Sequence, residues 1–171
     1  MKVRSVSSLS RHGNTFALTD FTTVLTDVLA LLEVAIAESG AVITHDALPE
    51  VMADVSQLRQ LLQNLLSNAI KFRSERPLQI HVSARREQNA WLFSVRDNGL
   101  GIEPQYFERI FVVFQRLHTR DEYPGTGIGL SVCKKIVERH GRRIWLESEA
   151  DQGTTFHFTI VDSSPDHKES S

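Results

Sequence analysis

Apolar residues recur at three- and four-residue steps from Asp20 onward: Phe21, Val24, Leu25, Val28, Leu31, Leu32, Ala35 and Ile36. That spacing draws one stripe along an α-helix, and the run ESG at 38–40 ends it. AVITHD, 41–46, reads as a short strand. LPEVMAD, 48–54, leads to Asp54, which with Gln57 has the spacing of a capping box. A second helix over about 55–72 carries Leu58, Leu61, Leu62, Leu65 and Ala69 on one side.

Downstream the period drops to two. LQIHVSARR sets Ile80, Val82 and Ala84 on one face, and NAWLFSVRDNG does the same with Trp91, Phe93 and Val95. EPQYFERIFVVF, 103–114, reads as a short helix with Pro104 near its start. After the loop QRLHTRDEYP, a last helix covers about Gly129–Arg139 and stops at His140 and Gly141. RRIWLESEA and TTFHFTIVD close the chain as two strands about the turn DQG. Residues 1–15 are polar and Ser-rich, a frayed helix end or a linker, and 163–171 have the composition of a disordered tail. Strands and helices mix without regular alternation. The expected class is α+β: one mixed, mostly antiparallel sheet with helices packed on one face.

Composition narrows the function. The 171 residues are 41% hydrophobic and 23% charged, ordinary for one soluble domain. With 19 Lys and Arg against 21 Asp and Glu, the net charge of −2 lacks the basic excess of a nucleic-acid binder. The single cysteine, Cys133, excludes an intramolecular disulfide and a CxxC metal site. It shares a helix face with Leu130, Ile136 and Val137, so it reads as core packing. No apolar run is long enough to cross a bilayer, and the opening MKVRSVSSLSRHG has no apolar signal core, so the expected setting is cytoplasmic.

Three constellations carry candidate chemistry. In NLLSNAIK, Asn64, Asn68 and Lys71 fall at i, i+4 and i+7, one stripe opposite the leucines. Two amides and an ammonium so aligned could hold a hard cation and its phosphates, although a solvated polar stripe would look the same. In DNGLGI, Asp97 continues the inward parity of Trp91, Phe93 and Val95. Aiming an unpaired charge at a core is costly, so a hydrogen-bond donor on a ligand gives it a reason; a plain turn is the alternative. In GTGIGL, Gly125, Gly127 and Gly129 precede a helix start, where unpaired N–H groups and the dipole favour phosphate. Thr154 shares parity with Phe156, Phe158 and Ile160, so its hydroxyl also faces inward.

NLLSNAIK, DNGLGI, FERIFVVFQR and GTGIGL resemble, in that order, the N, G1, F and G2 boxes of the histidine-kinase catalytic domain. That domain belongs to the GHKL superfamily of gyrase, chaperone, kinase and MutL ATPases. The resemblance covers residues 16–162, and the stretch FQRLHTRDEYPGTGIGL is similar in particular to phytochrome-type sensor kinases. It implies the Bergerat ATP-binding sandwich, with ATP and Mg²⁺ as cofactors. Residues 1–15 would then be the end of a dimerisation helix or a linker. Asn68 would ligate the metal, with Asn64 beside it and Lys71 on phosphate. Asp97 would accept the adenine amino group, Gly99, Gly101 and Ile102 would surround the ring, and Thr154 would support it through water. Gly125, Thr126, Gly127 and Gly129 would shape the phosphate loop ahead of Leu130. Arg116, in a mobile lid over about 103–124, would reach the γ-phosphate.

The resemblance also bears on the reaction. Relatives that hydrolyse ATP or phosphorylate serine usually carry Glu at the place of Asn64. An amide takes no proton at neutral pH. Histidine asks less of a base, because its pKa near 6.5 leaves the ring largely neutral at pH 7. The implied activity is therefore a protein histidine kinase, with Asn64, Lys71 and Arg116 in the catalytic roles. The implied partners are a dimerisation domain bearing the acceptor histidine and, downstream, a response regulator receiver domain. None of the seven histidines has the acidic-flanked helical setting of an acceptor, and each reads as solvated. The alternative is a nucleotide-binding interaction module without kinase activity of its own.

Overall fold

The alternating segments pair into a five-stranded sheet, with the amphipathic helices laid across one face. The computed structural model describes residues 16–107, 109–111, 126–141 and 143–161, with backbone only at 109 and 126–129. The readings on residues 1–15, on most of the lid with Arg116 and Gly125, and on the 163–171 tail lie outside the described residues. In chain order the elements are β1 (Ala17–Asp20), α1 (Phe21–Leu31), α2 (Glu33–Ser39), β2 (Val42–His45), β3 (Glu50–Ala53), α3 (Val55–Lys71), β4 (Gln79–Glu87), β5 (Ala90–Asp97), α4 (Thr126–Arg139), β6 (Ile144–Glu149) and β7 (Gly153–Val161).

The sheet order is β2-β4-β5-β7-β6. Only β2 and β4 run parallel; the other three pairings are antiparallel. This is the mixed, mostly antiparallel α+β arrangement that the sequence pattern implies. Ile80, Val82, Phe93, Val95, Phe156, Phe158 and Ile160 are buried on the inner face, against Leu58, Leu61, Leu62, Leu65 and Leu66 of α3. At the centre, Phe93 stacks between Phe21 and Phe158, with ring centroids 4.2 and 5.2 Å away. Offset rings at such distances add to the area they bury.

Four local expectations change. The stripe over 21–36 is two helices, α1 and α2, broken at Leu32. Leu32 N–H still bonds to Val28 O (3.0 Å) and Ile36 N–H to Leu32 O (2.9 Å), so the apolar period runs through the break. LPEVMAD holds strand β3, which pairs with β1, another strand that the pattern did not reveal; each has four residues. The short helix over 103–114 is replaced, among its described residues, by two 3₁₀ turns, Pro104–Tyr106 and Arg109–Phe111. There Tyr106 and Phe107 donate three residues back, to Glu103 and Pro104. Finally α4 starts at Thr126, so Gly127 and Gly129 stand in its first turn instead of in a loop ahead of it.

Asp54 caps α3 but forms only half a capping box. Its Oδ1 accepts from Ser56 N–H (3.1 Å) and Gln57 N–H (3.2 Å). The return bond goes elsewhere: Asp54 N–H donates to His140 Nε2 (3.2 Å), and Gln57 Oε1 accepts from Arg139. Burial would raise the Asp54 carboxyl, but bonds from Arg139, Ser56 and Gln57, with the Arg139 charge, hold it below its ordinary value. His140 is therefore not solvated, as the sequence reading had it; it is buried, with Nδ1 donating to Ile136 O (2.8 Å) and its ring stacked on Phe16. His157 is likewise largely covered, by Trp145 on the outer sheet face.

Phe93→Ala should cost about 3–5 kcal/mol, the range for emptying a packed aromatic site. Denaturant melts of the two chains measure it. A loss below about 1 kcal/mol would show that the Phe21–Phe93–Phe158 stack does not anchor the core.

Candidate functional site

β5 delivers its last residue, Asp97, to a place where three segments meet. On one side the loop after it leans on the exit of α3: Leu100 N–H donates to Phe72 O (3.0 Å), and Arg76 Nη2 to Asn98 O (2.7 Å). On the other side it docks on the β6–β7 turn, where Asp151 N–H donates to Leu100 O (2.6 Å) and Ile102 N–H to Ser148 Oγ (2.7 Å). Gly101 has φ +82°, and a Cβ there would lie 2.1 Å from Glu149 O. Gly153 has φ +117°, and a Cβ there would lie 2.0 Å from Asp97 O. The close approach that the glycine at 101 was read as offering to a ligand is made first to the chain's own backbone.

A cleft opens between α3, α4 and this corner. Ala69, Phe72, Ile110, Leu130 and Phe156 make its apolar walls. Asn68, Asp97 and Thr154 border it with polar groups, and Gly101 and Ile102 complete the rim. Pockets of this make-up, apolar with a few placed polar atoms, are what small ligands occupy.

Asp97 is the electrostatic centre. Its Oδ1 accepts from Gly99 N–H (2.8 Å) and Thr154 N–H (3.3 Å). No described residue bonds to Oδ2, although Asp97 lines the cleft. Burial pushes its carboxyl up from the ordinary value, against the two N–H bonds that lower it. Thr154 Oγ1 lies 2.8 Å from Ser148 Oγ, which also donates to Gly153 O (2.9 Å).

The α3 stripe is graded along its length. Asn64 is half-buried near the Cys133 thiol, which donates to Leu61 O; Asn68 borders the cleft, and Lys71 is exposed. Cys133 is fully buried, as expected of core packing, and burial pushes its thiol up to about 12. Leu130 is buried against the cleft; Thr126, Gly127 and Gly129 lie in the four residues before it, the first turn of α4. Of the residues singled out from sequence, Asn68, Asp97, Gly101, Ile102, Leu130 and Thr154 line one cleft, and Gly99 holds Asp97 from behind. Sequence reasoning missed Ser148, whose strand parity with Ile144 and Leu146 was available, and the walls Phe72 and Ile110. Among the described residues no three His, Cys, Asp or Glu side chains cluster as a metal site, and no helix is long and apolar enough to cross a membrane. Asn68 still fits a hard cation that keeps most of its waters, since its side chain borders the cleft and carries an amide oxygen.

The model of the histidine kinase-, DNA gyrase B- and HSP90-like ATPases matches residues 53–164, and the chain belongs to that family. It is similar to cyanobacterial phytochrome A of Nostoc sp. (strain PCC 7120), 58% identical over 158 residues, which are 92% of this chain and 21% of that protein. The chain spans about a fifth of the length of the curated relatives it matches first. Among solved structures it resembles the catalytic domain of the histidine kinase ThkA, with TM-score 0.73 and 29% identity over 86% of this chain and 95% of that one. It also resembles ThkA in complex with the response regulator protein TrrA, with TM-score 0.69 and 26% identity over 86% of this chain and 42% of that one. The fold is the Bergerat sandwich, and the domain is of the histidine-kinase ATPase type.

Asp97→Asn should leave the ligand-free domain at least as stable as wild type at pH 7. A carboxyl whose folded pKa is raised contributes stability below its unfolded pKa and loses it as pH rises through the folded pKa. The amide removes that loss, while its oxygen can still accept from Gly99 and Thr154. Thermal melts of both chains from pH 4 to 8 should show wild type losing ground to the variant as pH rises. A variant that melts well below wild type throughout would mean that the charge itself holds the corner together.

Proposed function

We propose that this chain is the ATP-binding catalytic part of a two-component sensor histidine kinase. It takes ATP with Mg²⁺ and passes the γ-phosphoryl group to a histidine on a dimerisation domain, from which a response regulator receiver domain takes it. The observation that carries this reading is Asp97, held at Oδ1, bonded by no described residue at Oδ2, and lining an apolar slot. A flat heterocycle with an exocyclic amino group meets both demands, and adenine is one. Ile110, Leu130 and Phe156 flank the ring, Asp97 accepts from its amino group, and Gly101 and Ile102 lie at its edge.

The phosphates then run toward the polar side of α3 and the start of α4. Gly127 and Gly129, in the first turn of α4, present backbone N–H groups, and Thr126 opens that turn. Gly125 and Arg116 keep the roles that the resemblance gave them, on phosphate and on the γ-phosphate. Asn68 holds the cation, Lys71 takes phosphate charge, and Asn64 stands behind them without a proton to give or take at neutral pH. Bound Mg²⁺ would supply charge neutralisation on the phosphate oxygens. The family match and the likeness to ThkA, solved with its response regulator, support this reading.

Asp97→Asn should weaken ATP binding about 10-fold or more, the scale of a bond to a charged group. Because the amide oxygen is claimed by two N–H donors, its NH₂ would face the adenine amino group, donor against donor. Calorimetry reads this, and an unchanged affinity would remove adenine from Asp97.

Asn68→Ala should abolish the gain in ATP affinity that Mg²⁺ gives wild type, since such sites have few protein ligands to lose. If the gain persists in titrations with and without the metal, another group holds the cation.

The chain alone should bind ATP, hydrolyse it slowly at most and acquire no phosphohistidine. Phosphoryl transfer depends on an acceptor held in line, and the described histidines are committed elsewhere: His140 is buried, and His81 bonds to Thr44 and Asp46. Incubation with γ-labelled ATP tests this. Acid-labile, base-stable label on the isolated chain would overturn it; label appearing only on an added acceptor helix is the expected result.

A further inference from the structure

We infer that Ser148 is a positioning residue for base recognition, acting through the proton of Thr154. The inference rests on the nucleotide reading above. Ser148 Oγ has three polar neighbours: Ile102 N at 2.7 Å, Gly153 O at 2.9 Å and Thr154 Oγ1 at 2.8 Å. A serine hydroxyl has one proton and two lone pairs. Ile102 N–H can only donate, so it occupies one lone pair. Gly153 O can only accept, so it takes the proton. The one arrangement that satisfies all three contacts has Thr154 O–H donating into the second lone pair.

That spends the only proton of Thr154. Its hydroxyl then has lone pairs alone to offer the cleft that Thr154 lines, and the carboxylate of Asp97, which lines the same cleft, adds acceptors. The polar end of the slot is therefore built of acceptors. It favours a base edge that offers donors, directly or through a water, and disfavours a base with a carbonyl in the place of the amino group. A site built to pair one polar group rejects the analogue that leaves it unpaired. Ser148 never touches the base in this arrangement. It sets which way Thr154 points its proton, and by holding Ile102 N–H it also ties the loop after β5 to β6.

The two roles separate by experiment. ATP and inosine triphosphate share ribose and phosphates and differ on one edge of the base: an amino group at position 6 beside an unprotonated N1 in ATP, an oxo group beside a protonated N1 in inosine triphosphate. Loss of the Ile102 tie lowers affinity for both alike, whereas a freed Thr154 proton alters their ratio. Ser148→Ala should reduce the ATP-over-inosine-triphosphate preference by about 5-fold, the effect of one neutral hydrogen bond. Ser148→Thr, which keeps the hydroxyl, should retain the wild-type ratio. In a Thr154→Val background, Ser148→Ala should leave the ratio where Thr154→Val alone puts it. Binding is measured by calorimetry with Mg²⁺, and melts confirm that each variant is folded. If Ser148→Ala fails to fold, a Ser148→Cys chain, whose thiol is a weak acceptor, stands in for it. A wild-type chain that binds ATP, with a ratio unchanged by loss of the serine hydroxyl, overturns the Ser148 inference and leaves the nucleotide reading standing. A wild-type chain that binds neither nucleotide overturns both.

Discussion

Backbone pressed on backbone at the end of β5 is the constraint on which the site depends. A Cβ at Gly153 would lie 2.0 Å from Asp97 O, and one at Gly101 would lie 2.1 Å from Glu149 O. Both residues have positive φ, so a side chain would be strained at either position even if room were made. Because these surfaces meet, Thr154 N–H comes within 3.3 Å of Asp97 Oδ1 and Ile102 N–H within 2.7 Å of Ser148 Oγ. The polar corner is thus assembled from two strand ends and a loop that only glycine lets converge.

Sheet packing carries those polar atoms to the corner. Phe93 and Val95 fix the face of β5 on which Asp97 arrives, and Phe156 and Phe158 do the same for Thr154 on β7. A shift of one residue in either strand would turn these polar groups to the outer face. The central aromatic stack therefore sets the direction of the cleft as well as contributing stability. The cost of a buried carboxylate is met only in part, by two N–H bonds on one oxygen. The open oxygen is where a ligand gains most, because a partner in a low-dielectric slot is worth more than one in water.

Parity and periodicity made much of this legible in the sequence. Asp97 and Thr154 follow buried neighbours at steps of two, and the leucines of α3 leave Asn68 on the side that borders the cleft. Strands β1 and β3 stayed hidden because four residues give alternation too little length, and Val51 and Ala53 offer only two inward positions. The break at Leu32 escaped because the helical bonds on both sides of it keep their spacing. His140 was misread because burial there comes from Phe16 and Asp54, distant in sequence and joined only by the fold. Ser148 was passed over for another reason: its parity was visible, but its three contacts lie on segments that sequence cannot bring together.

The chemistry of the α3 stripe follows from what its neighbours can and cannot do with a proton. Asn64 is an amide, and the nearby thiol, Cys133, is pushed up to about 12, so both stay uncharged at neutral pH. Asp97 can accept a proton, but it stands at the corner with β7, where Gly99 and Thr154 engage its Oδ1 and the proposed base would take its Oδ2. On the proposed reading, this part of the domain contributes orientation and charge to phosphoryl transfer and leaves proton removal aside. Such a division suits an acceptor that arrives already able to attack. A neutral imidazole at pH 7 does, whereas a serine hydroxyl or a water needs a base beside it. A domain built this way gains rate by how a second domain presents its nucleophile, and regulation can then act on that geometry with no change to the nucleotide cleft.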